Sequence, residues 1–367
     1  MFKKADWPQF LKEVEKCEYI ICIGAGKRLQ RMKETFNENG IMSKVRYIAD
    51  NDCSKQGAEI TINERKIQVQ SVASLTSVTK SNVMIIITCL FYADILEQLE
   101  TQEAFQQNDI YSLTHILGDY SDDRAMKRKI PDNLRLSGQM LIPKTIHYCW
   151  FGRNPIPDQY KIWMDSWKKY CPDYEIVEWN EDNYDMTKNQ YMLQAYEQRK
   201  WGFVPDYARL DIIYNHGGVY LDTDVELINN IDDLLYQRGF AGFESDKYVA
   251  LGLGFGAAAG NQLIKGMMDA YDNYSFLDKE GNMNLTPSPV IQTDYLLGHG
   301  LKQDGEYQIL ENELTIYPEK MLSGKSITSK RIKLTPYTRG IHHYDGSWLD
   351  AEKKNMMKQI EKEMNTK

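Results

Sequence analysis

The chain is poor in cysteine, has no excess of positive charge and contains no long apolar run. Each shortage removes a class of function. Its six cysteines (17, 22, 53, 89, 149 and 171) form no CxxC pair and no metal-ligand spacing. They read as reduced thiols of a cytoplasmic protein rather than as a disulfide framework or a zinc module. A net charge of −8 argues against a nucleic-acid surface. No apolar stretch approaches the ~20 residues that a membrane-spanning helix needs. The longest candidate, 83–87 (VMIII), has the length of a buried strand. The opening residues, MFKKADWPQFLKEVEK, carry charge throughout and no apolar signal core, so they are expected to be mature sequence.

What is present is a globular composition. Hydrophobic residues make up 42% of the 367, and charged residues 26%. That length is long for one core, and two domains are expected. The 24 tyrosines and seven tryptophans suit stacking against sugars or flat ligands, and core packing equally.

The first third alternates strand and helix. Residues 7–17 pattern as an amphipathic helix, and 19–23 (YIICI) as a strand ending in Gly24-Ala25-Gly26. A helical stretch at 27–39 and a second strand at 45–49 follow, with Asp50-Asn51-Asp52 behind it. Further strands are expected at 67–69, 83–88 and 110–113. This rhythm predicts right-handed crossovers and a parallel sheet. Gly24 and Gly26 form half of a dinucleotide fingerprint, with Asp50 placed where a ribose would be held. Leu29 stands where the third fingerprint glycine belongs. The region is similar to Rossmann-like modules fused to sugar-modifying enzymes, and that resemblance implies a fold more firmly than a ligand. Residues 1–118 are therefore read as a Rossmann-like accessory domain. The polar stretch 119–140, with breakers Pro131 and Gly138, reads as a linker or surface helix.

Function is concentrated at 204–226, VPDYARLDIIYNHGGVYLDTDVE. A helix-period segment (206–215) stops at Gly217-Gly218, and a short apolar strand (219–221) delivers Asp222 and Asp224. On an extended chain alternate residues face one side, so the two carboxylates would point together. Like charges held close repel, a cost that is offset when a divalent cation lies between them. Hard oxygen ligands suit Mg²⁺ or Mn²⁺, and such an ion neutralises a phosphate-bearing substrate. Asp206 and Arg209 stand upstream on the helix.

Two more blocks complete the pattern: IPKTIHYCWFG at 142–152, and IHHYDGSW at 341–348. Together the three blocks resemble the DXD-containing sugar transferases of glycosyltransferase family 32, across roughly 141–350. The resemblance implies a GT-A type catalytic domain, a nucleotide-diphosphate-sugar donor (UDP-sugar favoured), a divalent metal and retention of anomeric configuration. Carried over, Asp224 would ligate the metal, and Asp222 would contact the ribose and the metal shell. His343 would be a further metal ligand. Asp206 and Arg209 would hold the donor's sugar and phosphate, Tyr220 would line the pocket, and Trp150 would stack on the base. Ser347 and Trp348, with His343, would close over the diphosphate. Thr293 and Asp294 are candidate acceptor or donor contacts. Gly252, Gly254 and Gly256 alternate in a small-residue stretch that is not read as a phosphate loop. His147, His216 and His342 read as core or capping histidines.

The expected acceptor is a glycan or lipid-linked saccharide, in cell-surface or capsular polysaccharide synthesis. The tail, 351–367, holds five lysines against three glutamates and reads as a surface helix. Peripheral contact with the inner face of a membrane fits that pattern. Two other readings stand beside the transferase. A metal-dependent phosphohydrolase shares the Asp-x-Asp but needs a downstream lysine and acidic pair not found here. An NAD(P)-dependent oxidoreductase or epimerase run by the first domain lacks the full fingerprint.

Overall fold

The computed structural model describes residues 1–346 apart from 32, 81 and 91, and in the tail residues 354, 355, 358, 359, 361, 362 and 364. The chain is a mixed α/β protein with parallel-containing sheets, and it divides into two compact units, Met1–Asp123 and Arg124–Lys367.

In the first unit the apolar runs become strands: β1 (Ile20–Ile23), β2 (Val45–Ala49), β3 (Glu59–Ile62), β4 (Arg65–Gln70), β5 (Met84–Ile87) and β6 (Asp109–Ser112). They form one sheet in the order β3-β4-β2-β1-β5-β6, with β3/β4 antiparallel and the other neighbours parallel. Every residue of β1 and β5 is buried, because helices or loops cover both faces. On one face Trp7, Phe10 and Val14 of the Trp7–Lys16 helix pack against Ile20, Val45 and Ile86. On the other, Leu99 and Phe105 meet Ile21 and Ile85.

The stretch expected as a helix over 27–39 is helical on both sides of residue 32, at Lys27–Arg31 and Lys33–Glu38. One local expectation changes. The unpredicted β3 pairs with β4 through a tight turn whose central residues, Asn63 and Glu64, both have positive φ (45° and 66°). That is hairpin-turn geometry without the usual glycine signal.

The Gly24 turn is closed by its own chain. Gly24 N donates to Ala49 O at 2.7 Å. Ala25 N donates to Asp50 Oδ2 at 2.8 Å, and Asp52 N to Asp50 Oδ1 at 2.9 Å, with Lys55 Nζ 3.2 Å from Oδ2. Both oxygens of the carboxylate expected to hold a ribose are thus engaged within the chain.

The second unit carries β7 (Thr145–Cys149), β8 (Glu175–Trp179), β9 (Gly218–Tyr220), β10 (Val225–Leu227), β11 (Gly239–Gly242), β12 (Phe255–Ala257), β13 (Gln308–Leu310), β14 (Leu314–Tyr317) and β15 (Gly340–His342). Seven of them form a mixed sheet ordered β13-β14-β11-β12-β9-β7-β8, and β10 pairs antiparallel with β15 in a separate ribbon. The Pro205–His216 helix packs its Leu210, Ile212 and Ile213 into one core with Phe255 and Ile264. Trp167, Ile146, Val219 and Tyr317 fill the core on the other side. Of the stretch expected as a linker, residues through Lys127 continue the Leu113–Lys127 helix. Among the described residues no helix is long and apolar enough to cross a membrane.

Candidate functional site

Strands β7 and β9 run parallel, with Ile146 opposite Val219 and His147 opposite Tyr220, so the segments leaving their C-terminal ends emerge side by side. Ligands gather at that edge of an α/β sheet. Gly218 makes the pairing possible. Its φ is +102°, and a Cβ there would stand 2.8 Å from Thr145 O and 2.9 Å from His147 Nε2. His147 itself is structural. Trp179 Nε1 donates to its Nδ1 at 3.1 Å, which leaves Nε2 to donate to Gly217 O at 3.0 Å. Burial pushes its pKa down to about 4, so the ring is neutral at ordinary pH.

The two carboxylates come together by a turn and not by strand alternation. Strand β9 stops at Tyr220, and Val225 N donates to Asp222 O at 3.0 Å, closing a four-residue turn around Thr223 and Asp224. The polar pair resists continued extension into a buried sheet, so the chain reverses there and re-enters as β10. Pairing of β10 with β15 sets Val225 opposite His342, which brings that imidazole onto the Asp pair. His342 Nε2 lies 3.2 Å from Asp224 Oδ1. One ligand atom from each of Asp222, Asp224 and His342 falls within 4.8 Å of the others.

This corrects the expectation for His343. Strand alternation turns its side chain the other way. Its Nε2 lies 2.9 Å from Glu226 Oε2, and its ring stacks on Trp163 with centroids 4.1 Å apart. The histidine beside the carboxylates is the one read as a core residue, and the signal that would have found it is the register of a strand pairing invisible in one sequence.

Asp206 and Arg209 are each 4% exposed and support Asp222 from below. Arg209 Nη2 donates to Asp206 Oδ1 at 2.8 Å, its Nε donates to Pro205 O at 3.0 Å, and its Nη1 lies 3.7 Å from Asp222 Oδ2. Burial raises Asp206 to about 6 in spite of Arg209. Tyr220 is 1% exposed, so it does not line an open pocket as expected. Its ring lies under the guanidinium, 5.3 Å from Cζ, where it packs the support.

The two aspartates are driven apart electrostatically. Burial raises Asp222, with Asp224 adding to the effect against Arg209. Burial also opposes ionisation of Asp224, but His342 and the Asp345 amide outweigh it and hold that carboxyl down at about 2. The amide contact is Asp345 N to Asp224 Oδ2, 3.1 Å. Glu244, which the sequence did not single out, is lifted to about 7 by burial, with His342 opposing. Gly252 also has a role the sequence reading missed. A Cβ on it would stand 2.4 Å from Asp222 Oδ2 and 3.2 Å from Arg209 Nη1, so only glycine leaves that carboxylate its place.

The remaining expected residues scatter. Trp150 is half-buried just past β7, its Nε1 donating to Asn154 O at 2.6 Å and its ring edge-on to Tyr160. Tyr160 in turn donates to Asp345 Oδ2 at 2.6 Å, which joins Trp150 to the loop beyond β15. Thr293 is fully buried, its hydroxyl taken by Val249 N at 3.0 Å, and neighbouring Asp294 is exposed. Neither is brought to the Asp pair by any contact described. Ser347 and Trp348 lie outside the described residues.

Residues 157–241 match a glycosyltransferase family model. Its description is a glycosyltransferase sugar-binding region containing the DXD motif, and Asp222-Thr223-Asp224 lies inside the matched stretch. Among curated proteins, the chain is 33% identical over 99 residues to inositol phosphoceramide mannosyltransferase 3 of Schizosaccharomyces pombe, covering 26% of this chain and 28% of that one. It is 27% identical over 143 residues to mannosyltransferase 2 of the same set, covering 37% and 41%. The chain thus spans less than half the length of these relatives. A solved PaToxG glycosyltransferase is similar at 17% identity and a TM-score of 0.35, over 50% of this chain and 76% of that one. The family match and the relatives' names support a glycosyltransferase reading of this region. DXD glycosyltransferases generally use a divalent metal. Two hard carboxylates and one imidazole converging within 4.8 Å fit such an ion.

Proposed function

We propose that the second unit is a metal-dependent, retaining hexosyltransferase of GT-A type, acting on a nucleotide-diphosphate-sugar. The observation that carries this reading is the convergence of Asp222, Asp224 and His342 at the edge of the sheet. Those three residues would hold Mn²⁺ or Mg²⁺. Bound there, the ion would supply Lewis-acid neutralisation of the departing diphosphate.

The chain's own residues account for the rest. Arg209 fixes Asp222 and contributes positive charge beneath the site, with Asp206 holding the guanidinium in place. The Asp345 amide orients Asp224. This loop would cover a sugar nucleotide's phosphates, and Tyr160 ties it to Trp150, the candidate for stacking on the base. Closing such a loop excludes water and favours transfer over hydrolysis. Retention follows if the acceptor hydroxyl attacks from the side the diphosphate leaves, a leaving-group oxygen accepting its proton, so no protein base is assigned.

UDP is the first donor nucleotide to test, and mannose the first sugar, since both curated relatives above are named mannosyltransferases. The acceptor is read as a glycan or lipid-linked saccharide used in cell-surface polysaccharide synthesis, made at the cytoplasmic face of a membrane. The first unit is read as a Rossmann-like accessory domain. Calorimetric titration of UDP and GDP, each with Mn²⁺ and with EDTA, tests the proposal. Tight binding of one nucleotide only with metal supports it, and no binding of either with metal refutes it.

A further inference from the structure

Thr293, expected as a substrate contact, and its neighbour Gln292 lie on the Ser288–Leu297 helix, both completely buried. What they hold is the backbone that leads into Gly252. Thr293 Oγ1 accepts from Val249 N at 3.0 Å, and Gln292 Oε1 accepts from Leu251 N at 3.3 Å. Between these two, Ala250 N donates to Gly242 O, at the end of β11, at 3.0 Å. Along an extended chain successive N–H groups point to opposite sides, so β11 can satisfy Ala250 but not Val249 or Leu251. A neighbouring strand would ordinarily take those two amides. Here two side chains of a helix replace it.

The replacement has a cost. Gln292 Nε2 is buried with no hydrogen-bond partner among the described residues. An apolar side chain of similar size would strand no donor there, so what offsets the cost is the bond from Leu251 N. Leu251 is held on both sides, because Gly254 N donates to its carbonyl at 3.2 Å. Gly252 lies between those two anchors, with Asp222 Oδ2 and Arg209 Nη1 packed where its Cβ would be. Any shift of this turn therefore opens or closes the space in which the Asp222 carboxylate rests.

We propose that Gln292 and Thr293 are positioning residues: through the backbone of 249–251 they fix Gly252, and with it the place of the Asp222 carboxylate in the metal site. Their effect on metal binding rests on the transferase reading; the clamp on the two amides does not.

The test joins amide hydrogen exchange of the metal-free protein to Mn²⁺ calorimetry of the full chain, on wild type, Gln292→Met, Thr293→Val and Thr293→Ser. Gln237→Met is the control for lost stability alone, since it removes another buried glutamine, whose Nε2 donates to Leu234 O at 2.9 Å. Exchange should quicken about tenfold at Leu251 in Gln292→Met and at Val249 in Thr293→Val. Mn²⁺ affinity should fall about tenfold in Gln292→Met and about threefold in Thr293→Val. Thr293→Ser keeps the hydroxyl and should keep wild-type affinity, and Gln237→Met should lower Tm and leave Mn²⁺ affinity alone. On a Gly252→Ala background Gln292→Met should cost about threefold or less, because a loosened turn lets the new methyl group draw back from Asp222. Wild-type Mn²⁺ affinity in both Gln292→Met and Thr293→Val, an equal loss in Gln237→Met, or a full further loss on the Gly252→Ala background overturns the positioning role. Unchanged exchange at Val249 and Leu251 overturns the clamp itself. A wild type that binds no Mn²⁺ fails differently: it sinks the transferase reading and the positioning role together, and the exchange result still decides the clamp.

Discussion

Gly252→Ala places one methyl group against one carboxylate of the proposed metal site. The new Cβ would lie 2.4 Å from Asp222 Oδ2, so the carboxylate must retreat about 0.6 Å to reach a tight 3.0 Å contact and about 1 Å for an ordinary one. It cannot swing freely, because the methyl group would also crowd Arg209 Nη1 at 3.2 Å. A misplacement of about 1 Å in a catalytic group costs roughly 10²-fold in rate, or about 2.7 kcal/mol of barrier. We therefore expect kcat/KM for Mn²⁺-dependent transfer or donor hydrolysis to fall about 10²-fold, with Tm lowered only slightly. Gly254→Ala is the matched comparison. Gly254 has φ +120°, and its added Cβ would meet a Leu221 methyl at 2.9 Å, so strain of roughly 1–3 kcal/mol falls on the fold and away from Asp222. That variant should lose Tm and keep most of the activity of its folded fraction. Wild-type activity and Mn²⁺ affinity in Gly252→Ala would refute the placement of Asp222 in the site.

Three further outcomes follow from the same geometry. His342→Ala should weaken Mn²⁺ binding at least about tenfold, or about 1.4 kcal/mol, whereas His343→Ala should leave it unchanged and lose the Glu226 contact and the Trp163 stack, roughly 1–2 kcal/mol by thermal unfolding. The reverse ranking would restore His343 as the ligand. Arg209→Met leaves the buried Asp206 charge without its partner, and a loss of roughly 3–5 kcal/mol in denaturant unfolding is expected; a double variant with Asp206→Leu should regain most of it. His147 has a folded-state pKa of about 4 against an ordinary 6.5. The unfolded chain therefore takes up the proton first, and stability present above pH 6.5 is lost as pH falls towards 4, by about 3 kcal/mol. His147→Gln should flatten that part of the stability–pH curve, and an unchanged slope would show that the ring is not held neutral.

The parts of this protein that could be read from sequence are those where one residue type does one job. Continuous apolar runs gave β1 and β5 because a strand buried on both faces has no room for a polar residue. The Gly217-Gly218 stop placed the end of the helix and the start of β9. The antiparallel edge strand β3, EITI, was hidden because half of its residues face solvent and its turn uses Asn63-Glu64 in place of glycine. At the site, Asp222, Asp224, Asp206 and Arg209 were legible as a group, but their division of labour was not. Burial of Arg209 and Tyr220 beneath Asp222 depends on packing from the Leu251–Leu253 turn. The choice between His342 and His343 depends on a one-residue register, and one sequence does not contain it. Thr293 looked like a polar contact; in the fold its hydroxyl is taken by a backbone amide.

The most direct test of the account is donor hydrolysis or transfer across a panel of UDP- and GDP-sugars, UDP- and GDP-mannose included. It would be run with Mn²⁺ and with EDTA, on wild type and on Asp224→Asn. The account predicts release of one nucleotide diphosphate that requires the metal and falls at least 10²-fold in Asp224→Asn. Turnover that persists in EDTA, or that Asp224→Asn leaves unchanged, would contradict it.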